Sequence, residues 1–319
     1  MPRAAASELV RRLRALRSTR LGRALVAALC GSLVFLAAAI TLHHARGVVR
    51  RMPAYRLGPK SVVFVDLPAF VDERMRAALS RSLAETWPAG GPSGPSTFDL
   101  LLERRLREAI AASAMVRDVL DVDVRFPAEV RVRASLRTPI ARFRARWPDR
   151  RPGSPATVTL PVDGDGVVLD PETYSGFLSQ RRTVLVTGVE AVCPGIGRRW
   201  ADSKEQVAEG LSAARTANRL NQEMLGLGSP KVDQVDVSGF PATPRTRMKG
   251  EVTLVLSDGR TVQWGRTERD LSGVTHEDGY DVKRDRLLDL LATRTAGDRR
   301  ALDVRFPPQL RDLGLRSDP

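Results

Sequence analysis

The spacing of apolar positions changes several times along the chain, and each change predicts a different kind of element. Residues 24–42 (ALVAALCGSLVFLAAAITL) run for 19 positions without a charge. As a helix that run is about 28 Å long, close to the roughly 30 Å hydrocarbon core of a bilayer. From residue 61 the pattern shortens. A strand over 61–65 ends at Asp66-Leu67-Pro68. Asp72 then serves as the N-cap of a helix whose Met75, Leu79, Leu83 and Trp87 form one stripe, stopped by Pro88. After the Pro/Gly-rich insert 88–96, Phe98, Leu102, Leu106 and Ile110 mark a second helix. Two strands follow in which Val122 and Val124, then Val130, Val132, Ala134 and Leu136, alternate with polar residues. That period of two is the mark of a half-buried antiparallel pair, turned at 126–129, where Pro127 ends the run of donors. Residues 61–138 thus read as a β-α-α-β-β domain.

Beyond the Pro/Arg-rich stretch 145–156 strand patterns dominate again, and residues 139–310 read as one β-domain. VTLPVDGDGVVL and VTLVLSDGRTVQW each carry Asp-Gly between apolar runs, a hairpin signal. In the second, a two-residue loop at Asp258-Gly259 would set Val255 opposite Val262 and Thr253 opposite Trp264 on one face. Helical stretches are expected over 201–225 and 282–293, and a last strand over 301–306. The fold class is therefore α+β: one N-terminal membrane helix, the small α/β domain, then a mainly antiparallel β-domain with covering helices. Residues 43–60 read as a juxtamembrane linker and 311–319 as a polar tail.

Charge gives this arrangement a direction. Seven arginines and one acid precede the apolar run, so residues 1–23 form a basic tail expected in the cytoplasm, with the remainder outside it. A cleaved signal peptide is the alternative, since Ala37, Ala38 and Ala39 offer a cleavage-type site. Of the net charge of +14, +8 lies beyond the tail. It is carried by arginines in an Ala-, Gly- and Pro-rich chain with few interleaved aromatics, so no nucleic-acid partner is expected.

Catalytic chemistry is thinly supplied. His43 and His44 flank the membrane segment, His276 stands alone, and the two cysteines, Cys30 and Cys193, belong to different phases. No metal-ligand spacing occurs. Asp163, Asp165 and Asp170 resemble a calcium loop but lack its closing glutamate, and a hairpin turn is the expected reading. GLGSPK at 226–231 lacks the phosphate-loop spacing and reads as a helix end. No catalytic, cofactor or metal residues are assigned, and the chain is expected not to be an enzyme. An edge strand at 301–306, open to strand addition, competes with the reading that this segment is paired on both sides.

The stretch 120–141, LDVDVRFPAEVRVRASLRTPIA, resembles the junction between the POTRA domain and the following β-domain of FtsQ/DivIB cell-division proteins. The shared theme is an aromatic-Pro turn (Phe126-Pro127), an alternating strand (130–136), a basic residue (Arg137) and Pro139-Ile140-Ala141. PVDGDGVVL, VLVTG, LVLSDGRTVQWG and ALDVRFPPQL follow in the family's order, so the resemblance runs from about residue 61 to 310. Leu136 replaces an acidic residue often found there, the insert 88–96 separates the two helices, and the loop 190–200 has no counterpart. The resemblance implies a non-enzymatic, single-pass scaffold of the division machinery in the inner membrane at the septum. Its partners would be small single-span proteins like FtsB and FtsL, other membrane division proteins, and the bilayer itself. The positions that match the family's terminal region are Asp303, Val304, Arg305 and Phe306 on the last strand, and Val262 and Trp264 on the hairpin before it. A POTRA-containing adaptor of another envelope assembly or secretion complex is the runner-up.

Overall fold

A computed structural model describes residues 20–87, 95–147, 157–181, 183–202, 204–224, 229–241, 251–267, 278–293 and 301–306. Most of the basic tail, residues 88–94 of the insert, His276 and the polar tail lie outside these residues. The described elements are α1 (Arg20–Arg51), β1 (Val62–Val65), α2 (Glu73–Glu85), α3 (Leu102–Ala111), β2 (Val116–Arg125), β3 (Glu129–Leu136), β4 (Pro139–Arg146), β5 (Thr157–Asp163), α4 (Ser175–Gln180), β6 (Val184–Thr187), α5 (Gln206–Glu223), β7 (Val232–Asp236), β8 (Thr253–Leu256), β9 (Thr261–Gln263), α6 (Tyr280–Thr293) and β10 (Leu302–Asp303). The class is mixed α and β, with one apolar N-terminal helix.

Within α1, Ala27–Val49 is long and apolar enough to cross a membrane, and none of its most apolar window is buried within the protein. The helix continues through the first part of the expected linker to Arg51, because nothing before Pro53 breaks it. His43 and His44 therefore sit inside the helix rather than at its end.

The chain divides into two compact units, one drawn from within Met1–Val63, Pro88–Leu106 and Asp123–Arg131, the other from within Phe64–Trp87, Arg107–Val122 and Val132–Pro319. In the first, the backbone after α1 is pinned by hydrogen bonds. Leu57 N donates to Pro95 O at 3.0 Å and Thr97 N to Tyr55 O at 3.0 Å. Tyr55, Phe98 and Phe126 follow ring to ring, with centroids 5.1 and 5.4 Å apart.

The elements β1, α2, α3, β2 and β3 keep the expected order, and the three strands form a sheet in the order β1-β3-β2. Met75, Leu79 and Leu83 are buried as the stripe predicts, and Asp72 caps α2 by accepting from Met75 N at 2.8 Å. Along β3 every second residue from Val130 to Leu136 is buried.

The large sheet of the second unit has seven strands in the order β10-β9-β8-β7-β6-β4-β5. It is mixed, where a mainly antiparallel sheet is expected. The pairs β4/β6, β6/β7 and β9/β10 are parallel, and β4/β5, β7/β8 and β8/β9 are antiparallel. Parallel neighbours need a crossover, so α5 and α6 connect strands as well as covering them. Helix α5 lies on β4, β6 and β7 through Val207, Ala213, Ala214, Ala217 and Leu220, all buried. It approaches closely because Gly210 has no side chain: a Cβ there would meet Val186 Cγ1 at 2.9 Å and the Phe143 ring at 3.1 Å.

The β8–β9 hairpin departs from the expected register. Leu254 faces Val262 and Thr253 faces Gln263. Leu256 N donates to Arg260 O and Gly259 N to Leu256 O, which closes a three-residue loop, Ser257 to Gly259, with Gly259 at φ +86. One residue of slip turns a strand over. Leu254 and Leu256, not Thr253 and Val255, join Val262 and Trp264 in the core.

Candidate functional site

The last strand sits at one end of the seven-stranded sheet, with β5 at the other. β10 runs parallel to β9, with Leu302 beside Val262 and Asp303 beside Gln263, and Val304 N donates to Gln263 O at 3.3 Å. The strand is only Leu302–Asp303, shorter than the expected 301–306. Backbone groups alternate along it, so Asp303 turns its own away from β9, while the Arg305 carbonyl, in the bend beyond, accepts from Asp278 N at 3.4 Å.

Side chains hold this edge tightly. Arg305 is 5% exposed. Its guanidinium donates to both Asp303 carboxylate oxygens, at 3.1 and 2.9 Å, and to Gln263 Oε1 at 2.9 Å, with its carbon 5.3 Å from the centre of the Phe306 ring. The outward amide of Arg305 is covered as well, donating to Asp303 Oδ1 at 3.0 Å. From α6, Arg286 donates to Val304 O at 2.7 Å and pairs with Asp278 at 2.8 Å. A partner strand extending past Asp303 must therefore displace the Asp303 carboxylate.

The structure divides the expected site residues into two groups. Val262, Trp264 and Val304 are core side chains of one cluster with Leu302, Tyr280 and Leu287, so none of the three presents a surface. Asp303 and Phe306 are half-buried at the edge, and Arg305 is buried between them. Sequence reasoning missed Gln263, Arg286 and Asp278. Gln263 meets Arg305 across 42 residues and Arg286 meets the Val304 carbonyl across 18, so nothing in their own segments marks them.

Beneath the edge, Lys283 is 1% exposed, donates to Arg266 O at 3.1 Å and has its ammonium 5.8 Å from the centre of the Trp264 ring. Beside it, Glu223 binds Arg219 at 2.9 Å and Tyr280 Oη at 2.9 Å, joining α5 to α6. Burial opposes ionisation of Glu223, but hydrogen bonds from Arg219 and Tyr280 outweigh it and hold the carboxyl below its ordinary pKa. Burial, reinforced by the Glu223 hydrogen bond, pushes the Tyr280 hydroxyl upward.

The aspartate turn after β5 is built around Asp163, which is 2% exposed. Its Oδ1 accepts from Asp165 N and Val167 N, and its Oδ2 from Arg137 at 2.6 Å. The carboxylate is thus occupied in closing a turn. Among the described residues, no group of three or more His, Cys, Asp or Glu could hold a metal ion.

A cavity of about 740 Å³ opens where α5 meets β4, β6 and β7, lined by Arg142, Arg181, Lys231, Asp233, Asn218 and Gln234 among others. It is cationic and rich in amides, and its lining contains no histidine, cysteine or serine. No family model matches the chain, and no curated protein matches it.

Proposed function

We propose that this chain is a non-enzymatic, single-pass scaffold of the bacterial division machinery, of the FtsQ/DivIB kind. Its first folded region would be a POTRA domain, and the edge of its β-domain would receive a strand from a small single-span partner such as an FtsB- or FtsL-like protein. The observation that carries this reading is the position of β10 at the end of the sheet, in the last described segment of a chain that begins with one apolar helix. The β-α-α-β-β order between them supports the POTRA assignment. The seven arginines before residue 24 favour a cytoplasmic N-terminus and extracytoplasmic folded units. Strand addition draws its affinity from main-chain hydrogen bonds, so burial of Val262, Trp264 and Val304 is compatible with it, and these residues would act by holding the edge in place.

The test is a photo-crosslinking residue at Phe306 combined with a fluorescent fusion. Midcell fluorescence and capture of a single-span division protein are expected. Uniform membrane fluorescence in dividing cells, or capture of secretion or wall-assembly machinery alone, would overturn the division role and favour an adaptor of another envelope complex.

A further inference from the structure

Three large apolar side chains of the first unit stand in the open: Leu100 is 94% exposed, Phe126 64% and Leu101 52%. They do not lie on a distant loop. Helix α1 runs into a short turn, with Met52 N bonded to Val49 O at 3.1 Å and Tyr55 N to Met52 O at 3.1 Å. Tyr55 and Leu57 are then laddered to Pro95 and Thr97, and Leu100 comes three residues after Thr97. The Tyr55–Phe98–Phe126 ring series makes the same connection from the other side. A continuous hydrogen-bonded and packed path thus joins the end of the apolar helix to the exposed patch.

The path is also short. If the hydrocarbon ends near Val49, two helical residues and one 3₁₀ turn bring Tyr55 to roughly 12 Å above it. The headgroup layer on one side of a bilayer is about 6 Å thick. Tyr55 therefore lies about 6 Å beyond the headgroup layer, and the patch, three residues past Thr97 or two ring contacts from Tyr55, lies within ~15 Å of it and so within reach of that layer.

We infer that Leu100, Leu101 and Phe126 rest in the interfacial layer of the same bilayer that holds α1, seating the first unit on the membrane surface. This rests on the reading of α1 as a membrane span. The arginines around the patch do not supply the attraction: Arg105 pairs with Asp99 at 2.9 Å, Arg125 with Asp123 at 2.8 Å and Arg131 with Glu129 at 2.6 Å. Contact is driven by apolar area, so it does not require anionic lipid.

The experiment uses the full chain with Cys30→Ala and Cys193→Ala, reconstituted in phosphatidylcholine nanodiscs with brominated acyl chains. An environment-sensitive fluorophore is placed by Phe126→Cys, by Leu100→Cys and, inside the helix, by Ala37→Cys. Bromolipid quenching at all three positions is expected, with shielding from iodide of about threefold or more at 100 and 126, as for interfacial side chains. Adding anionic lipid should leave these values within about twofold. Quenching at 37 with open iodide access at 100 and 126 would overturn the inference while leaving the span intact. No quenching at 37 would overturn the span and the inference together. Quenching at 126 only with anionic lipid would also overturn it, since charge would then be the cause.

Discussion

Replacing Arg305 by alanine tests whether the edge strand is held as the structure indicates. The substitution removes two hydrogen bonds to the Asp303 carboxylate and one to Gln263, together with packing on Phe306. Hydrogen bonds to charged groups contribute about 1.5–3 kcal/mol each when buried. The Asp303 side chain is 27% exposed, so water replaces part of what is lost. Asp303 and Phe306 belong to the same segment as Arg305, so of these contacts only the Gln263 bond joins it to β9. A net loss of about 1.5 kcal/mol follows, and at 1.4 kcal/mol per factor of ten the open state of β10 becomes about tenfold more populated.

Native-state hydrogen exchange of a peptide spanning 301–306 in the full chain reads this directly, because Val304 N–H is bonded to β9 only while the strand is docked. Exchange should accelerate about tenfold there and stay within about twofold in β4 and β5, at the far side of the sheet. Crosslinking from position 306 should fall in parallel. Unchanged exchange at 301–306 would refute the clamp. Equal acceleration in β4 and β5 would refute its local character, since Arg305 would then be supporting the entire fold.

Other features give independent checks. Gly210→Ala pushes a methyl into Val186 and Phe143; overpacking costs about 2 kcal/mol and better helix propensity returns about 1, so a net loss near 1 kcal/mol is expected in thermal melts. Gly58→Ala, with nothing within 4 Å of its added Cβ, is the neutral comparison. Because the folded-state pKa of Glu223 is depressed, the stability it confers is full above its ordinary 4.5 and disappears as pH falls through the lower folded value. Melting temperature should therefore hold down to about pH 4.5 and then drop, and Glu223→Gln should flatten that drop. Cys193 is 1% exposed, and burial raises its pKa, so a maleimide at pH 8 should leave it unmodified until denaturant is added. Rapid modification of Cys193 in native protein carrying Cys30→Ala would contradict its place in the core.

What could be read from the sequence was what depends on neighbouring residues. Met75, Leu79 and Leu83 and the Asp72 cap are one-dimensional patterns, and the structure keeps them. The β8–β9 register shows how such patterns can conflict. Asp258-Gly259 suits a two-residue loop, but that loop sets Leu254 and Leu256 opposite Gln263 and Thr261, mixing apolar and polar residues on each face. The three-residue loop costs one more residue and puts Leu254, Leu256, Val262 and Trp264 together, so burial overrides turn preference.

The end of the chain follows from a longer-range constraint. A strand that follows a hairpin directly would return antiparallel, but α6 stands between β9 and β10 and reverses the direction of approach. The new strand is then parallel to β9, whose other side is already occupied by β8. Only the outer side of β9 is open to it, so an edge position for β10 follows from the helix that precedes it. That same helix supplies Arg286 to the Val304 carbonyl. The helix that carries the chain to the edge thus also pins the strand there, and the residues that grip the strand could not be found by inspecting the strand alone.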